Sequence, residues 1–313
     1  MPEHRFEFAK IMTDKGFLTP EAYVMDGLLD IVDEGVLGAS NHVSLSLSLI
    51  AKVAAQGGKN SCVEALMLAN FIALVRGEGA PIVANAVNWQ VEGLEGLSDE
   101  NAVQRLQDRA LDWEVSARDR RDKLLAKANE MLTSIRRPMI YDYSSTVADL
   151  IRTLAINTGL EAIIIPESRA IDGGRRYMNA LADLNVNIDF LPDSAIEYAA
   201  TYADAVFLGA ESVTLDGGII NTIGSTSTAR AAQAHNVPVY GAADLFKVGT
   251  KRANEMPSRP LREFPFLLKA NEAARTSAPE LEIVPPALIS AILTEVGPVV
   301  PMELESSLHW RNV

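Results

Sequence analysis

The first 135 residues carry the hydrophobic pattern of helices. Apolar positions recur three and four residues apart, and glycine or proline interrupts them where helices would end. A Ser-Leu alternation at residues 44–49 has the period of a strand, but its small residues and the distance to the next glycine pair favour a helix. The predicted helices are Glu21–Val32, Val43–Ala55, Cys62–Val75, Ile82–Leu97 and a long, charged, amphipathic one at Asn101–Ile135.

The pattern changes at Arg136-Arg137-Pro138, where short apolar runs begin to alternate with helical segments. The predicted strands are Met139–Tyr141, Ala162–Ile165, Val186–Leu191, Ala205–Leu208 and Val237–Tyr240. The predicted helices are Thr146–Asn157, Gly174–Leu184, Ser194–Tyr202 and a last one at Ala287–Glu295, opened by Pro285-Pro286. The irregular segment Met256–Ser277 carries apolar residues, so we expect it to cover a site or to contact another subunit. This alternation predicts an α/β fold, with a helical N-terminal domain (residues 1–135) and a doubly wound parallel sheet (residues 136–313).

Composition restricts the classes of protein to which the chain can belong. Its 48% hydrophobic and 22% charged residues are typical of a soluble globular protein. No run of 18 apolar residues and no secretory signal pattern occur, so we expect a cytoplasmic protein with no membrane partner. A net charge of −13 argues against nucleic-acid binding. One cysteine and four scattered histidines predict neither a disulfide nor a metal site, and no cofactor is expected.

The stretch Asp204–Gly241 combines a short buried strand with features of an anion-binding corner. The strand ends at Gly209, and Glu211 follows just beyond its end. An Asp-Gly-Gly turn at residues 216–218 leads into a polar, glycine-broken loop, Asn221–Thr228, and then into an alanine-rich helix. Small residues that open a helix present backbone N–H groups and the positive end of the helix dipole to an anion. An anion site beside a carboxylate is therefore predicted here, with a purely structural hairpin and loop as the alternative.

Polar residues also follow the first strand of the predicted sheet. The segment Asp142-Tyr-Ser-Ser-Thr146 leads into the next predicted helix. The hydroxyl groups of Ser144 and Ser145 could bind an anion at the start of that helix, or they could simply cap it.

A second polar segment, Glu167-Ser-Arg169, follows the second strand. Arg169 could bind a phosphate or a carboxylate through two parallel hydrogen bonds, or it could form a salt bridge with Glu167 or Asp172. Because the carboxyl ends of parallel strands meet at one edge of a sheet, the three polar segments together favour a shared binding site.

Several motifs of this half of the chain occur together, and in the same order, in one known superfamily. They are Pro166-Glu-Ser-Arg169, Leu208-Gly-Ala-Glu-Ser-Val213, Asp216-Gly-Gly-Ile-Ile-Asn-Thr-Ile-Gly-Ser225, His235-Asn-Val-Pro-Val-Tyr240 and Pro285-Pro-Ala-Leu-Ile-Ser-Ala-Ile-Leu-Thr-Glu-Val-Gly297. From Pro138 onward the chain resembles the superfamily that joins methylthioribose-1-phosphate isomerase, ribose-1,5-bisphosphate isomerase and the alpha, beta and delta regulatory subunits of initiation factor 2B. The resemblance implies a Rossmann-like C-terminal domain, a phosphorylated small-molecule ligand, and a homodimer or higher homo-oligomer packed through the C-terminal domains.

The chain departs from the isomerases of this superfamily at positions that carry their chemistry. They have a cysteine just after the first strand of the sheet, where an ungapped count places Asp142. Their Gly-Ala-Asp motif ends here in Glu211, and their Asn-Lys pair is Asn221-Thr222. Their Arg-Gly-Ala loop is not recognisable, and Gly38–His42 occupies roughly its place. The phosphate-binding positions that remain are Arg169, Asn221, Gly224, Ser225 and Thr226.

Two functions fit these residues. In the first, the protein isomerises a phosphorylated pentose-type sugar between aldose and ketose, and the environments of Asp142 and Glu211 make one carboxyl group the acid and the other the base. In the second, it binds a phosphosugar or a nucleotide without turnover, as a regulatory protein resembling the alpha-type subunits of initiation factor 2B. A regulatory protein has no need of a carboxylate at position 142, although Asp142 could also serve as an ordinary helix cap. A third function, as a subunit of a translation-factor complex, would require a protein partner.

Overall fold

The computed structural model of this 313-residue chain describes residues 39–56, 60–77, 79–264 and 275–308, together with Lys10, Thr13, Asp14, Val24, Asp26, Gly27, Leu28 and Ile31. Its residue contacts form two compact units, Met1–Asp119 and Arg120–Val313. The helix predicted at Glu21–Val32 lies mostly outside the described residues. Within it, Val24, Leu28 and Ile31 are helical and buried. The domain division at residue 135 stays a prediction.

The N-terminal unit contains helices α1 (Ala39–Ala54), α2 (Ser61–Arg76), α3 (Pro81–Val91) and the first part of α4 (Asp99–Met131). The Ser-Leu alternation is helical, as predicted. Within the helix the buried Ser46 hydroxyl is satisfied by donating to the carbonyl of His42 one turn earlier. Helix α3 ends before the predicted Leu97, since Gly93 and Gly96 adopt positive φ angles of 67° and 79°. No described helix has the length and hydropathy of a membrane span.

The C-terminal unit alternates strands with helices. Its strands are β1 (Pro138–Tyr141), β2 (Ala162–Pro166), β3 (Asn187–Leu191), β4 (Ala205–Leu208), β5 (Ser212–Val213), β6 (Ile219–Thr222), β7 (Val239–Ala242), β8 (Leu261–Glu263), β9 (Ser277–Pro279), β10 (Leu281–Val284), β11 (Ala291–Thr294) and β12 (Gly297–Val299). After α4 its helices are α5 (Ser145–Asn157), α6 (Gly173–Ala180), α7 (Ile196–Ala200) and α8 (Ser225–Ala234). The α/β class predicted from the alternating pattern is confirmed.

Seven of these strands form the central sheet, in the order β12-β11-β7-β4-β1-β2-β3. All neighbouring pairs are parallel except β11 and β12 at one edge. The chain runs from β1 through β2 to β3 on one side, then returns to β4 on the other side of β1. The order therefore reverses between β1 and β4, and in doubly wound folds such a reversal marks the crevice where ligands bind.

The central strands are buried on both faces, which explains their continuous apolar runs. Successive residues of a strand point to opposite faces. Accordingly, Met139 and Tyr141 join one apolar cluster together with Val206 of β4. Ile140, between them, joins the cluster on the other face together with Phe207. The burial of both faces leaves the carboxyl edge of the sheet as the place for polar side chains.

A smaller antiparallel sheet, in the order β10-β6-β5, replaces the polar loop predicted at Asn221–Thr228. Asn221 and Thr222 are the last residues of β6, and Ser225 already begins α8. The prediction was wrong because Asn, Thr and Gly are common in turns. Here, pairing with a strand distant in the chain makes Asn221 and Thr222 part of a strand. Strand β10, which pairs with Asn221 and Thr222, comes roughly 60 residues later in the chain.

The helix predicted at Ala287–Glu295 is also wrong. The two prolines lead only into a short 3-10 turn, Pro286–Leu288. Residues Ala291–Thr294 form β11, whose four residues are all buried beside β7. A short apolar run does not distinguish a buried strand from a buried helix by its periodicity. The pairing partner, which the local pattern does not contain, decided between them.

Part of the segment Met256–Ser277 lies outside the described residues, namely 265–274. At its described ends, β8 (Leu261–Glu263) pairs with β9 (Ser277–Pro279) in an antiparallel ribbon. Its role as a cover or as a subunit contact stays a prediction.

Two acidic residues, Asp244 and Glu295, follow the carboxyl ends of β7 and β11. Glu295 accepts hydrogen bonds from the backbone N–H of Leu245 at 3.1 and 3.3 Å. Arg120 lies 3.8 Å from Asp244 and stacks over the ring of Phe246. Burial and the neighbouring Asp244 raise the pKa of Glu295, which shows that its charged form is disfavoured in the folded state.

We expect Glu295→Gln to raise the free energy of unfolding relative to wild type, by an amount that grows as the pH rises. A raised pKa in the folded state means that Glu295 contributes stability while protonated and loses it as pH rises through that pKa. Glutamine keeps an acceptor for the Leu245 amide and does not ionise. Urea unfolding of both proteins between pH 4 and pH 8 measures the difference.

The matched control is Glu303→Gln, which makes the same change at an exposed position. It measures the effect of the same substitution where the side chain is not buried. An E295Q difference that stays flat, or falls as the pH rises, would contradict a disfavoured charge at Glu295.

Candidate functional site

The candidate site lies at the carboxyl edge of the central sheet, where the strand order reverses between β1 and β4. Asp142 follows β1 and Gly209 follows β4. The two strand ends touch, since a Cβ placed on Gly209 would lie 2.5 Å from the Cβ of Ser144. Only a glycine allows this approach without a clash. The reversal point is therefore lined by the segment at residues 142–144 on one side and by the exit of β4 on the other.

Asp142 is the centre of a buried polar cluster. Its side chain is 5% exposed and accepts hydrogen bonds from the hydroxyl groups of Thr222 (2.7 Å) and Ser168 (3.3 Å). Gly173, at the start of α6, leaves room for it, because a Cβ there would lie 2.2 Å from Asp142 Oδ1. The cluster joins the ends of β1 and β2 to the end of β6 in the smaller sheet.

Backbone strain is concentrated around the same cluster. Four non-glycine residues of the described chain have positive φ angles, and three of them, Asp142 (58°), Ser168 (48°) and Asp172 (56°), follow β1 or β2. Left-handed backbone is unfavourable for residues that carry a Cβ and concentrates at functional sites. Ser168 is held in place because Asp193 accepts its backbone N–H at 2.9 Å.

Burial raises the pKa of the Asp142 carboxyl group. The hydrogen bonds from Thr222, Tyr143 and Ser168 act in the opposite direction, as does the charge of Arg176 on α6. Burial is the larger effect, so Asp142 is biased toward its acid form. A carboxyl group that holds its proton more tightly than usual can donate it to a ligand.

Asp142 is not the cap of the helix that follows it. That role belongs to Ser144, whose Oγ accepts the backbone N–H of Val147 at the start of α5. The capping alternative thus applies to Ser144, and the backbone N–H of Ser144 donates to the Tyr177 hydroxyl. Ser145, the first residue of α5, is exposed and lies next to the cluster.

The Tyr141 side chain packs against the turn between β6 and α8 and forms a hydrogen bond to it. Its hydroxyl donates to the carbonyl of Ile223 at 3.0 Å, and burial raises the pKa of Tyr141, so this donor keeps its proton. Gly224 lies directly on the ring, since a Cβ there would lie 1.9 Å from the hydroxyl oxygen. With a φ of 102°, position 224 requires glycine for both sterics and conformation.

The amino end of α8, predicted to bind phosphate, holds a carboxylate of the same chain. Glu282 Oε1 accepts the backbone N–H groups of Gly224 (2.7 Å) and Thr226 (2.9 Å). Asn221 and Ser225 are buried and bonded to each other at 3.0 Å. A helix start of this kind favours a negative charge, and in the structure the Glu282 side chain lies there. Phosphate binding by these residues stays a prediction.

Arg169 is exposed and lies 3.4 Å from Glu167. The salt bridge given as the alternative to ligand binding is therefore present. Its backbone N–H donates to Asp193 at 2.8 Å, so the main chain of this segment is fixed while the side chain faces outward. Phosphate binding by Arg169 would require its guanidinium group to leave Glu167.

Glu211 differs from Asp142 in its surroundings. Its side chain is exposed, while its backbone N–H donates to the carbonyl of Ile220 at 2.9 Å. Beside it, Lys247 Nζ donates to the carbonyl of Ala210 at 2.6 Å. The structure thus gives one buried carboxyl group and one exposed carboxyl group at the ends of β1 and β4.

Four residues of this edge were not singled out from the sequence. Ser168 lay within a segment chosen for its arginine, and Thr222 was noted only where a lysine was expected. Lys247 follows β7, so its position after a strand was an available signal. Glu282 gave no local signal, because its two partners lie 56 and 58 residues away in the chain. The described residues contain no cluster of three or more His, Cys, Asp or Glu side chains that could hold a metal ion.

The chain is similar in sequence to proteins of one family. The family model described as "Initiation factor 2 subunit family" matches residues 78–301.

The chain is 25% identical over 213 residues to ribose 1,5-bisphosphate isomerase of Methanocaldococcus jannaschii, covering 66% of this chain and 69% of that protein. It is 24% identical over 200 residues to translation initiation factor eIF2B subunit alpha of Dictyostelium discoideum, covering 60% and 62%. With the ribose 1,5-bisphosphate isomerase of Archaeoglobus fulgidus it shares 28% over 169 residues, or 52% of this chain and 53% of that protein. These alignments span from about half to about two thirds of the relatives' lengths.

Solved structures share the fold at lower identity. Translation initiation factor eIF-2B of Pyrococcus horikoshii OT3 superposes with a TM-score of 0.72 at 21% identity, covering 90% of this chain and 98% of that chain. The 5-methylthioribose 1-phosphate isomerase of the same organism superposes with a TM-score of 0.69 at 15% identity, covering 93% and 88%. An enzyme and a translation factor are thus both similar to this chain, and the fold alone does not separate them.

Gly224→Ala should destabilise the protein far more than Gly159→Ala. Both glycines have positive φ angles, 102° and 69°, so an alanine is strained by about 1–2 kcal/mol at either one. Nothing lies within 4 Å of a Cβ at position 159, whereas at position 224 it meets the Tyr141 hydroxyl. Overpacking adds about 1–3 kcal/mol at position 224. Chemical unfolding measures both variants, and equal losses would show that Tyr141 does not pack against this turn.

Proposed function

The chain belongs to the Initiation factor 2 subunit family, and from this premise we propose that it binds a phosphorylated pentose-type sugar and isomerises it between aldose and ketose. Relatives of the chain include two ribose 1,5-bisphosphate isomerases, whose substrate is a pentose phosphate. The ligand would bind at the carboxyl edge of the central sheet, where β1 and β4 end. No metal or organic cofactor is part of the proposal.

The observation that carries this proposal is the state of Asp142. A buried aspartate with a raised pKa and a left-handed backbone is unfavourable for folding. It lies at the reversal of strand order, the usual place for a ligand in this fold class. A purely structural role would be served better by an apolar or amide side chain. The persistence of an unfavourable acid at such a position supports a chemical role.

The different surroundings of the two carboxyl groups give them different roles in the proposed reaction. For a pentose phosphate whose O1 carries no phosphate, such as a 5-phosphate, Glu211, as base, would take the proton from C2 of the open-chain aldose while Asp142, as acid, donates its proton to the carbonyl oxygen at C1. The product of this step is an enediol. Glu211 then returns its proton to C1, and the hydroxyl proton on O2 passes to Asp142 as the C2 carbonyl forms. The ketose leaves with both carboxyl groups restored to their starting states.

The groups proposed to hold the substrate lie on the surrounding elements. The exposed amino end of α5, with Ser144 and Ser145, offers donors to the phosphate. Arg169 and the residues Asn221, Gly224, Ser225 and Thr226 complete the proposed set. Glu282 occupies two of these backbone donors in the structure, so the start of α5 and the exposed Arg169 side chain are the more accessible phosphate ligands.

The second candidate function is binding without turnover, as a regulatory protein. Glu282 favours it, because a carboxylate already neutralises the helix end where a phosphate was predicted. The exposure of Glu211 also favours it, since a catalytic base is usually shielded from water. The ligand would then be a phosphosugar or a nucleotide that changes stability or assembly.

Oligomerisation and location belong to the same proposal. We propose a homodimer or higher homo-oligomer that packs through the C-terminal units. Assembly of related chains is supported by a tetrameric eIF2B beta–delta complex of Chaetomium thermophilum, whose chain superposes with a TM-score of 0.68 at 16% identity. We place the protein in the cytoplasm, where pentose phosphates are abundant.

A panel of ligands tests binding. Pentose monophosphates, pentose bisphosphates and nucleoside monophosphates are added separately while thermal unfolding is followed. A ligand present at 100 times its Kd stabilises the folded protein by about 2.7 kcal/mol, so a specific ligand should raise the Tm measurably. If none of the phosphorylated compounds raises the Tm, both the isomerase and the regulatory proposal are wrong.

Turnover separates the two functions. The best ligand of the panel is incubated with wild type and with Asp142→Asn, and aldose and ketose are followed by NMR. Loss of a general acid should lower the rate by about 10²–10⁴ while binding persists. The matched control is Asp183→Asn, which makes the same change in an exposed ion pair with Arg152 and should keep wild-type turnover. Unchanged ligand after long incubation with wild type would leave only the regulatory function.

A further inference from the structure

Glu282 lies on β10, outside the proposed chemistry, yet it is tied to the turn that carries Thr222. Its Oε1 accepts the backbone N–H groups of Gly224 and Thr226 at 2.7 and 2.9 Å. A carboxylate that accepts two N–H groups at a helix start forms strong, charge-assisted hydrogen bonds. We infer that Glu282 is a positioning residue, which holds the turn at residues 222–226 so that the Thr222 hydroxyl stays on Asp142.

The pairing of β6 with β10 explains how the Glu282 carboxylate can influence Thr222, whose side chain lies on the other face of β6. Glu282 lies opposite Asn221, and Leu281 lies opposite Thr222. Opposed residues of an antiparallel pair share a face, and successive residues alternate. Glu282 and Asn221 therefore face the start of α8, while Thr222 faces Asp142, to which it donates at 2.7 Å.

The other hydrogen bonds of the turn do not replace Glu282. Ser225 Oγ donates to the Thr222 carbonyl at 2.7 Å, and the Tyr141 hydroxyl donates to the Ile223 carbonyl at 3.0 Å. The Ile223 N–H donates to the carbonyl of Glu280 at 2.8 Å. These contacts satisfy carbonyls and one amide, but the amides of Gly224 and Thr226 depend on Glu282. Buried or half-buried amides without an acceptor are costly, so the turn would shift when Glu282 is removed.

The shift would be detectable at Asp142. A hydrogen bond donated to a carboxylate favours its charged form, so the Thr222 hydroxyl lowers the pKa of Asp142 against the effect of burial. The charged and titratable groups that act on Asp142 are Tyr141 on β1 and Arg176 and Tyr177 on α6. Tyr141 also contacts the turn itself, at the Ile223 carbonyl and at Gly224. The pKa of Asp142 matters for catalysis only under the proposed function, and to that extent the inference rests on it. The positioning role of Glu282 itself can be tested without a ligand.

The experiment compares the pKa of Asp142 in ligand-free variants by ¹³C NMR of its carboxyl carbon, assigned with Asp142→Asn. Glu282→Ala removes the acceptor, and Thr222→Val removes the donor directly. Glu282→Gln removes the charge but keeps an acceptor. Glu280→Gln removes a neighbouring carboxylate that pairs with Arg262 and does not touch α8.

We expect E282A and T222V each to raise the pKa of Asp142 by about 0.5 to 1, as for one lost hydrogen bond. The double variant should show little more than either alone, because both changes break the same bond. E282Q and E280Q should produce no rise. Loss of a negative charge by itself would lower the pKa of Asp142, so the direction of the change separates positioning from charge.

An E282A protein that folds and shows an unchanged or lowered pKa at Asp142 would overturn the inference. Should E282A not fold, Glu282→Asp serves instead. It keeps the charge and withdraws the carboxylate by one methylene, so a smaller rise is expected and no rise overturns the inference. A rise in a protein that binds no phosphosugar would uphold the positioning role while the proposed function fails.

Discussion

The hydrogen bond from Thr222 to Asp142 is the interaction on which the site depends. It joins the smaller sheet to the reversal point of the central sheet at 2.7 Å. Burial of Asp142 is unfavourable on its own, and this bond, with that from Ser168, makes the burial tolerable. Position 173 has no room for a Cβ beside Asp142, and position 224 has none beside the neighbouring Tyr141 hydroxyl. Thus one unfavourable carboxyl group accounts for the close packing of several segments around it.

Whether the site suits catalysis or binding without turnover depends on the positions of its carboxyl groups. Asp142 is buried and biased toward its neutral form, while Glu211 is exposed. Glu282 fills the helix end at which a phosphate would otherwise be favoured. Under the proposed function, a phosphosugar would therefore bind mainly through the start of α5 and Arg169, or displace Glu282. The family contains both kinds of protein, so the residues at these positions, and not the fold, decide which kind this chain is.

The sequence predicted the architecture well where local patterns decide structure. The helices at Ala39–Ala54 and Ser61–Arg76 and the strand at Ala205–Leu208 follow from periodicity and from glycine positions. It failed at Ile219–Thr222 and Ala291–Thr294, because these strands are defined by partners distant in the chain. Asp142 was singled out because it follows a strand directly and because the family resemblance places it where the isomerases have a cysteine. Glu282 was missed because a hydrogen bond between distant segments leaves no trace in a local pattern.

The most direct test of the central claim is the ionisation of Asp142 in the wild-type protein, with and without a pentose bisphosphate. The ¹³C shift of its carboxyl carbon is followed as a function of pH. The account predicts a pKa above the usual range of aspartate, and a further change when the sugar binds, because the ligand contacts this group. A pKa within the usual range that does not respond to any phosphorylated pentose would contradict a catalytic or binding role for Asp142.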